Sequence, residues 1–218
     1  MIIYVIAVAF SMICAAYANN VKNIKSLNNT YKILCVLAFL PTTLVSVLRF
    51  EVGTDWSIYD DYFHWISEGK DKFSEPLFNL LNRIIYLFTK DSWLLFAVCA
   101  VLIGYFTYHA IMEQSVNPAF SILIFMISGD YFNSQNQIRQ AIAMAIFLYA
   151  MKYMKSRDWK RYYLAMIIAL MIHTSAIIYF PLYFLYGKKV NVRLMIGIFC
   201  ATVVCLPVMK KVIVFVLT

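Results

Sequence analysis

The sequence predicts an all-α fold, a polytopic bundle of transmembrane helices. Three observations carry that prediction. Hydrophobic residues fill 63% of the 218 positions and charged residues 14%, against about 45–50% and 25% in soluble domains. A water-soluble globule of this size has too little interior to hide so much apolar surface. The apolar residues also fall in runs close to the roughly 20 needed to cross a bilayer. Finally, the lysines and arginines behind the net charge of +8 sit in short clusters between those runs. That is a topology signal rather than a nucleic-acid-binding face.

The elements follow in order. Residues 2–18 form the first predicted span. The stretch NNVKNIKSLNNTYK after it carries Lys22, Lys25 and Lys32 and no acid, which places this loop in the cytoplasm and the N-terminus outside. Residues 33–48 return outward, bent near Pro41. From 49 to 75 runs an outer loop with seven acids and three bases. Residues 75–90, EPLFNLLNRIIYLFTK, place Leu77, Leu80, Leu81, Ile84, Ile85 and Phe88 at helical spacing, an amphipathic helix suited to the interface. Spans are expected at 92–111, 119–132 and 138–153, the last ending in the basic KYMKSRDWKRYY. Residues 162–187 admit one tilted span, or a short helix broken near His173 or Pro181 that turns back. A last span is expected at 194–209, before the terminal run KKVIVFVLT, which is too short to cross. The expectation is about seven membrane segments in one integral membrane domain, 1–218.

Three polar constellations need explaining. In RFEVGTDWSIYDDYF, 49–63, one arginine and four acids stand among five aromatics. VGTD reads as a tight turn, with Thr-Asp capping the next helix. Arg49, Asp55, Trp56 and Tyr59 suit a sugar, because rings stack on its C–H faces while acids bind its hydroxyls. In NSQNQIRQAIAMA, Asn136, Arg139, Gln140 and Ala143 fall on one helical face. An arginine there costs about 2.5–3.5 kcal/mol at mid-membrane, and its planar fork matches phosphate. In LAMIIALMIHTSA, Ala165, Ala169 and Ala176 share a face with His173 and let another helix approach. His64 and His109 read as structural. The five cysteines lie in apolar runs without CxxC spacing and read as small buried hydrophobes. No Walker, Rossmann, HExxH or GxSxG pattern appears. No resident cofactor or metal is called for, although Asp55, Asp60 and Asp61 could hold a divalent ion loosely.

These stretches together resemble the EpsG family of membrane proteins, related to Wzy-type polysaccharide polymerases. The resemblance rests on R-x3-GTDW-x2-Y (Arg49–Tyr59), N-x2-RQ-x-IA (Asn136–Ala143) and A-x3-H-x-SA (Ala169–Ala176), and covers roughly residues 30–187. Members are usually longer, so the resemblance also implies a chain cut short at its C-terminus. It implies a glycosyltransferase of the bacterial cytoplasmic membrane, working in exopolysaccharide, capsule or O-antigen biosynthesis. Such an enzyme joins oligosaccharide repeats carried on undecaprenyl pyrophosphate, alongside membrane lipid and other polysaccharide-assembly proteins, with no nucleic acid. The expected roles are Arg139, then Arg49, on the pyrophosphate, and Asp55 or His173 as general base, with Asp55 favoured. Trp56 and Tyr59 would stack on sugar, with Asn136 and Gln140 beside them. The rival is a non-enzymatic flippase-like carrier or assembly scaffold. An acyltransferase is a third reading, disfavoured because His173 has no acid near it in sequence.

Overall fold

Small residues decide how the first two helices meet. In α1 (Ile2–Val21), Ala7, Ser11, Ala15 and Ala18 are buried. In α2 (Asn28–Val47), Ala38, Thr42 and Ser46 are buried. Close packing of small residues is how helices associate where lipid removes the hydrophobic drive. The large side chains of α1 point away, with Ile2, Ile3, Val5 and Ile6 all exposed. Apolar residues outside and small or polar ones inside is the arrangement that a bilayer solvent stabilises.

The computed structural model describes residues 2–70, 75–189, 191–192, 195–197 and 199–200. The predicted span 194–209 lies for the most part outside the described residues, as do KKVIVFVLT, Arg193 and residues 71–74 of the outer loop. Among the described residues every regular element is helical. After α2 come α3 (Trp56–Ser67), α4 (Pro76–Phe88), α5 (Trp93–Gln114), α6 (Pro118–Ile127), α7 (Asp130–Asn136), α8 (Ile138–Lys155), α9 (Trp159–Ile172) and the short α10 (Leu182–Leu185). The chain groups into two units, Met1–Tyr183 and Phe184–Thr218. In the second, single turns are closed by Lys188 N–H to Leu185 O (3.2 Å) and Met195 N–H to Asn191 O (3.0 Å).

Within the first unit, α1 packs on α2 and α6, α2 on α5, α5 on α8, and α8 on α9. Three described helices are long and apolar enough to cross a membrane: Ile2–Val21, Lys25–Val47 and Trp93–Gln114. The expected count of about seven is therefore met for three segments. Helix α6 is only 10 residues long, and α8 carries Arg139, Lys152 and Lys155 within its 18 residues. Helix α2 runs on through Pro41 without ending. Of the two expectations for 162–187, the chain takes the broken one. Helix α9 stops at Ile172, His173 is extended (φ −154°, ψ 125°), and a 3-10 turn follows over Thr174–Tyr179. The Tyr162 hydroxyl donates to the Tyr179 carbonyl at 2.6 Å, so the chain folds back on α9.

Hydroxyls tie the interior together. Thr42 Oγ1 and the Tyr108 hydroxyl are 2.6 Å apart, the Tyr131 hydroxyl donates to the Thr42 carbonyl (2.8 Å), and Ser46 donates to Tyr131 (2.8 Å). In an apolar surround each would be costly alone, so they satisfy one another.

Helices α2 and α5 pack closely at Gly104, where a Cβ would stand 2.5 Å from Thr43 Oγ1 and 2.8 Å from the Phe39 ring. Gly104→Ala should therefore destabilise the protein by about 1–3 kcal/mol, the usual cost of overpacking. Thermal unfolding in detergent reads this directly. An unchanged midpoint would mean that the two helices are not held this close.

Candidate functional site

The site begins at the head of α4. Glu75 occupies the N-cap position and Pro76 the first helical one, where its missing N–H costs nothing. A capping acid would ordinarily serve its own helix. The Glu75 side chain instead turns into the protein, where only 4% of it is exposed. Its Oε2 accepts from Arg139 Nη1 at 2.9 Å. Its Oε1 lies 3.2 Å from His173 Nδ1 and 3.4 Å from the Thr174 N–H. A buried carboxylate is tolerable only when paired and hydrogen-bonded, and here a guanidinium, an imidazole and a backbone amide converge on it.

Each partner is presented by a local interruption of helix. Helix α9 ends just before His173, and the extended backbone there swings the imidazole toward Glu75. Arg139 lies in the first turn of α8, which begins after a break at Gln137 (φ −90°, ψ 57°). Its guanidinium also lies 5.9 Å from the centre of the Phe78 ring. Tyr59 is buried against the same ring, edge-on at 6.3 Å. Burial raises the Tyr59 phenol, and a hydrogen bond with Arg139 partly offsets this.

The outer turn docks onto the same region. Glu51 (φ 51°) and Gly53 (φ 112°) bend the chain, and the Thr54 N–H donates to Asn136 Oδ1 at 2.9 Å. A Cβ on Gly53 would stand 2.5 Å from that same oxygen. Arg49 is buried, donates from Nη1 to the Gln135 carbonyl (2.8 Å), and lies 5.2 Å from the centre of the Phe96 ring. Trp56 stacks on that ring at 5.6 Å.

The structure thus joins Arg139 and His173 around Glu75, sets Tyr59 against Arg139 and Phe78, and joins Asn136 to the Gly53–Thr54 turn. It does not bring in every residue singled out in the sequence. Asp55 accepts from Thr54 Oγ1 (3.0 Å) and makes no side-chain cap to α3, contrary to the expectation for VGTD. Trp56 gives one ring face to Phe96. Arg49 is engaged by Gln135 and Phe96. Gln140 lines a separate cleft of about 260 Å³ with Asp130, Asn133 and Gln137. The shared face expected for Asn136, Arg139 and Gln140 assumed one continuous helix, and the break at Gln137 removes that assumption. Glu75, at the centre of the cluster, was not singled out in the sequence. Its one sequence signal was an acid directly before the proline that opens an amphipathic helix. Among the described residues no group of three or more His, Cys, Asp or Glu is arranged to hold a metal ion.

Apolar helices that enclose a paired carboxylate, guanidinium and imidazole define a membrane protein with a polar intramolecular site. Residues 32–218 match the EpsG family, and the chain belongs to it. Membership points to a membrane protein of polysaccharide biosynthesis. No curated protein and no solved structure matches the chain.

Two outcomes test the geometry. Burial raises the Glu75 carboxyl, but the His173 hydrogen bond, the Arg139 charge and the Thr174 amide outweigh it, and the net effect is to lower it. A folded value below the unfolded one means that the contribution is complete above the ordinary carboxylate range and is lost as pH falls through the folded value. Arg139→Gln removes one lowering partner, so the acid-side loss of stability should move to higher pH. Thermal unfolding between about pH 3 and 7 checks this, and an unmoved acid limb would refute the pairing. Gly53→Ala should strain the turn and force Asn136 away. Gly53→Ala should therefore destabilise the protein by about 1–3 kcal/mol, and adding Asn136→Ala, which removes the oxygen the new Cβ meets, should recover part of that loss; thermal unfolding in detergent checks both, and no recovery would refute the contact.

Proposed function

We propose that this protein is a polysaccharide polymerase of the bacterial cytoplasmic membrane, a multi-pass glycosyltransferase that joins oligosaccharide repeats carried on a lipid pyrophosphate. The single observation that carries the reading is the Arg139–Glu75–His173 cluster, within a chain of the EpsG family. The family supports the substrate class, and the cluster supports a way of acting on it.

In this reading Glu75 accepts the Nδ1 proton of His173. That fixes the imidazole tautomer and leaves Nε2 as the base. An acceptor sugar hydroxyl attacks the anomeric carbon of the donor. A new C–O bond forms while the bond from that carbon to the lipid pyrophosphate breaks. The hydroxyl proton passes to His173 Nε2, and the electron pair leaves on the pyrophosphate. Arg139 faces the charge developing there, where a fixed cation lowers the barrier most. Of the two bases weighed from sequence, His173 now stands ahead of Asp55, because His173 is oriented by a carboxylate and Asp55 is engaged with the exposed Thr54. The outer turn, with Trp56 and Arg49 behind it, forms the approach for sugar. The remaining membrane segments, up to about seven, and contacts with other assembly proteins belong to the same reading.

A polymer ladder tests it. The host gene is deleted and replaced by this chain or its variants, with membrane insertion checked by blot. The parent chain should restore long polymer. Arg139→Ala should leave single repeats on the outer-leaflet lipid, and His173→Ala should slow chain growth by about 10²–10⁴-fold, the usual worth of a general base. Asp55→Ala should keep a ladder. Long polymer from an inserted Arg139→Ala variant would sink the proposal, and single repeats trapped inside would favour a carrier instead.

A further inference from the structure

Below the ionic cluster lies an apolar groove of about 280 Å³, lined on α4 by Phe78 and Ile84, on α5 by Leu102 and Phe106, on α8 by Ile142 and Ile146, and on α9 by Ile168 and Ile172. Its placement is unusually ordered. Helix α4 starts with Glu75 at the cluster, and its groove residues lie at increasing distance down the helix. Helix α8 carries Arg139 at the cluster, followed by Ile142 and Ile146 one and two turns on. The chain reaches His173 directly after Ile172, with Ile168 a turn before it. Each of the three ion-bearing residues therefore stands at the head of its own groove-lining segment. Phe78 belongs to both places, since it lines the groove and carries the Arg139 guanidinium near its ring. Ile84 and Ile168 are exposed, so the groove opens sideways.

A cation at the head of an apolar groove matches an amphiphile whose anionic group and hydrocarbon chain are directly joined. The geometry points to this groove as the seat of the hydrocarbon chain of the lipid-linked glycan, entering laterally between α4 and α9 with its phosphate at Arg139. This rests on the proposed reading of the Arg139 cluster and adds the location of the chain and its route of entry. The chain slides along branched Leu and Ile side chains while the head stops at the ions. The groove thereby sets the depth at which the pyrophosphate is presented to Arg139 and the sugar to His173.

The full chain, reconstituted in vesicles of phosphatidylethanolamine and phosphatidylglycerol, is photolabelled with a polyprenyl diphosphate bearing a diazirine on its tail. Labelled peptides should come from the groove-lining helices α4, α5, α8 and α9. Labelling should fall at least tenfold with excess unlabelled polyprenyl diphosphate, and should stay unchanged with free pyrophosphate. Ile84→Trp and Ile168→Trp, both at exposed groove positions, should lower labelling at least fivefold. Leu87→Trp, on α4 but outside the groove and 82% exposed, should not. Label spread evenly to helices such as α1, or competed equally by added phosphatidylglycerol, would overturn the proposal and make the groove a resting place for bulk acyl chains. Labelling needs no turnover, so its failure is separable from that of the polymerase reading. Specific groove labelling without a polymer ladder keeps the groove and discards polymerisation, whereas an intact ladder with label elsewhere discards the groove alone.

Discussion

A carboxylate held almost wholly out of water is the constraint around which the rest of this structure is arranged. Glu75 can stay ionised only because Arg139, His173 and the Thr174 amide reach it together. Removing one member of a buried pair typically costs about 3–5 kcal/mol, because the other is left uncompensated. The cluster therefore fixes more than its own side chains. It pins the head of α4 to the first turn of α8 and to the end of α9, and it holds the α9 break in one conformation. The Gly53–Thr54 turn is attached through Asn136, in the helix just before the Gln137 break. The bonds that compensate Glu75 are thus also the bonds that hold three helices together.

The bilayer explains why such a cluster can exist inside so apolar a chain. With lipid as solvent, large apolar side chains gain little by facing inward, so small and polar ones can share the interior with Phe78, Phe96 and Ile142. Helix α4 follows this rule on its own scale. Asn79 and Asn82 are buried, while Leu80, Ile84 and Leu87 are exposed. The hydroxyl network among Thr42, Ser46, Tyr108 and Tyr131 follows it in the middle of the bundle. Arg49 follows it too, its charge carried by a carbonyl and an aromatic face.

Much of this was legible in the sequence, for identifiable reasons. Arginine and histidine within apolar helices stand out because each must be compensated, so Arg139 and His173 announced themselves. The break in residues 162–187 was one of two open readings, and the side-chain tether from Tyr162 to Tyr179 that accompanies it is a long-range contact that no local pattern carries. Glu75 stayed hidden because its partners lie 64 and 98 residues away. At a loop boundary it looked like one more acid in an acidic loop. Gln140 was misplaced for the opposite reason. Helical counting was carried through Gln137, where the backbone leaves the helical region. Asp55 stands apart from the cluster and accepts from its own Thr54, a local contact that looks the same in sequence as an acid turned toward a ligand.

The separation of Glu75 from His173 also has a consequence for synthesis. Ribosomes add about 5–20 residues per second, so the 98 residues between the two take roughly 5–20 s to make. Throughout that interval the carboxylate has been made and its last partner has not. Until Arg139 follows 64 residues on, and His173 after it, water is the most favourable surround for an ionised Glu75, which favours keeping the start of α4 at the membrane surface. The order of translation thus sets the order in which its partners become available, Arg139 on α8 before His173 after α9.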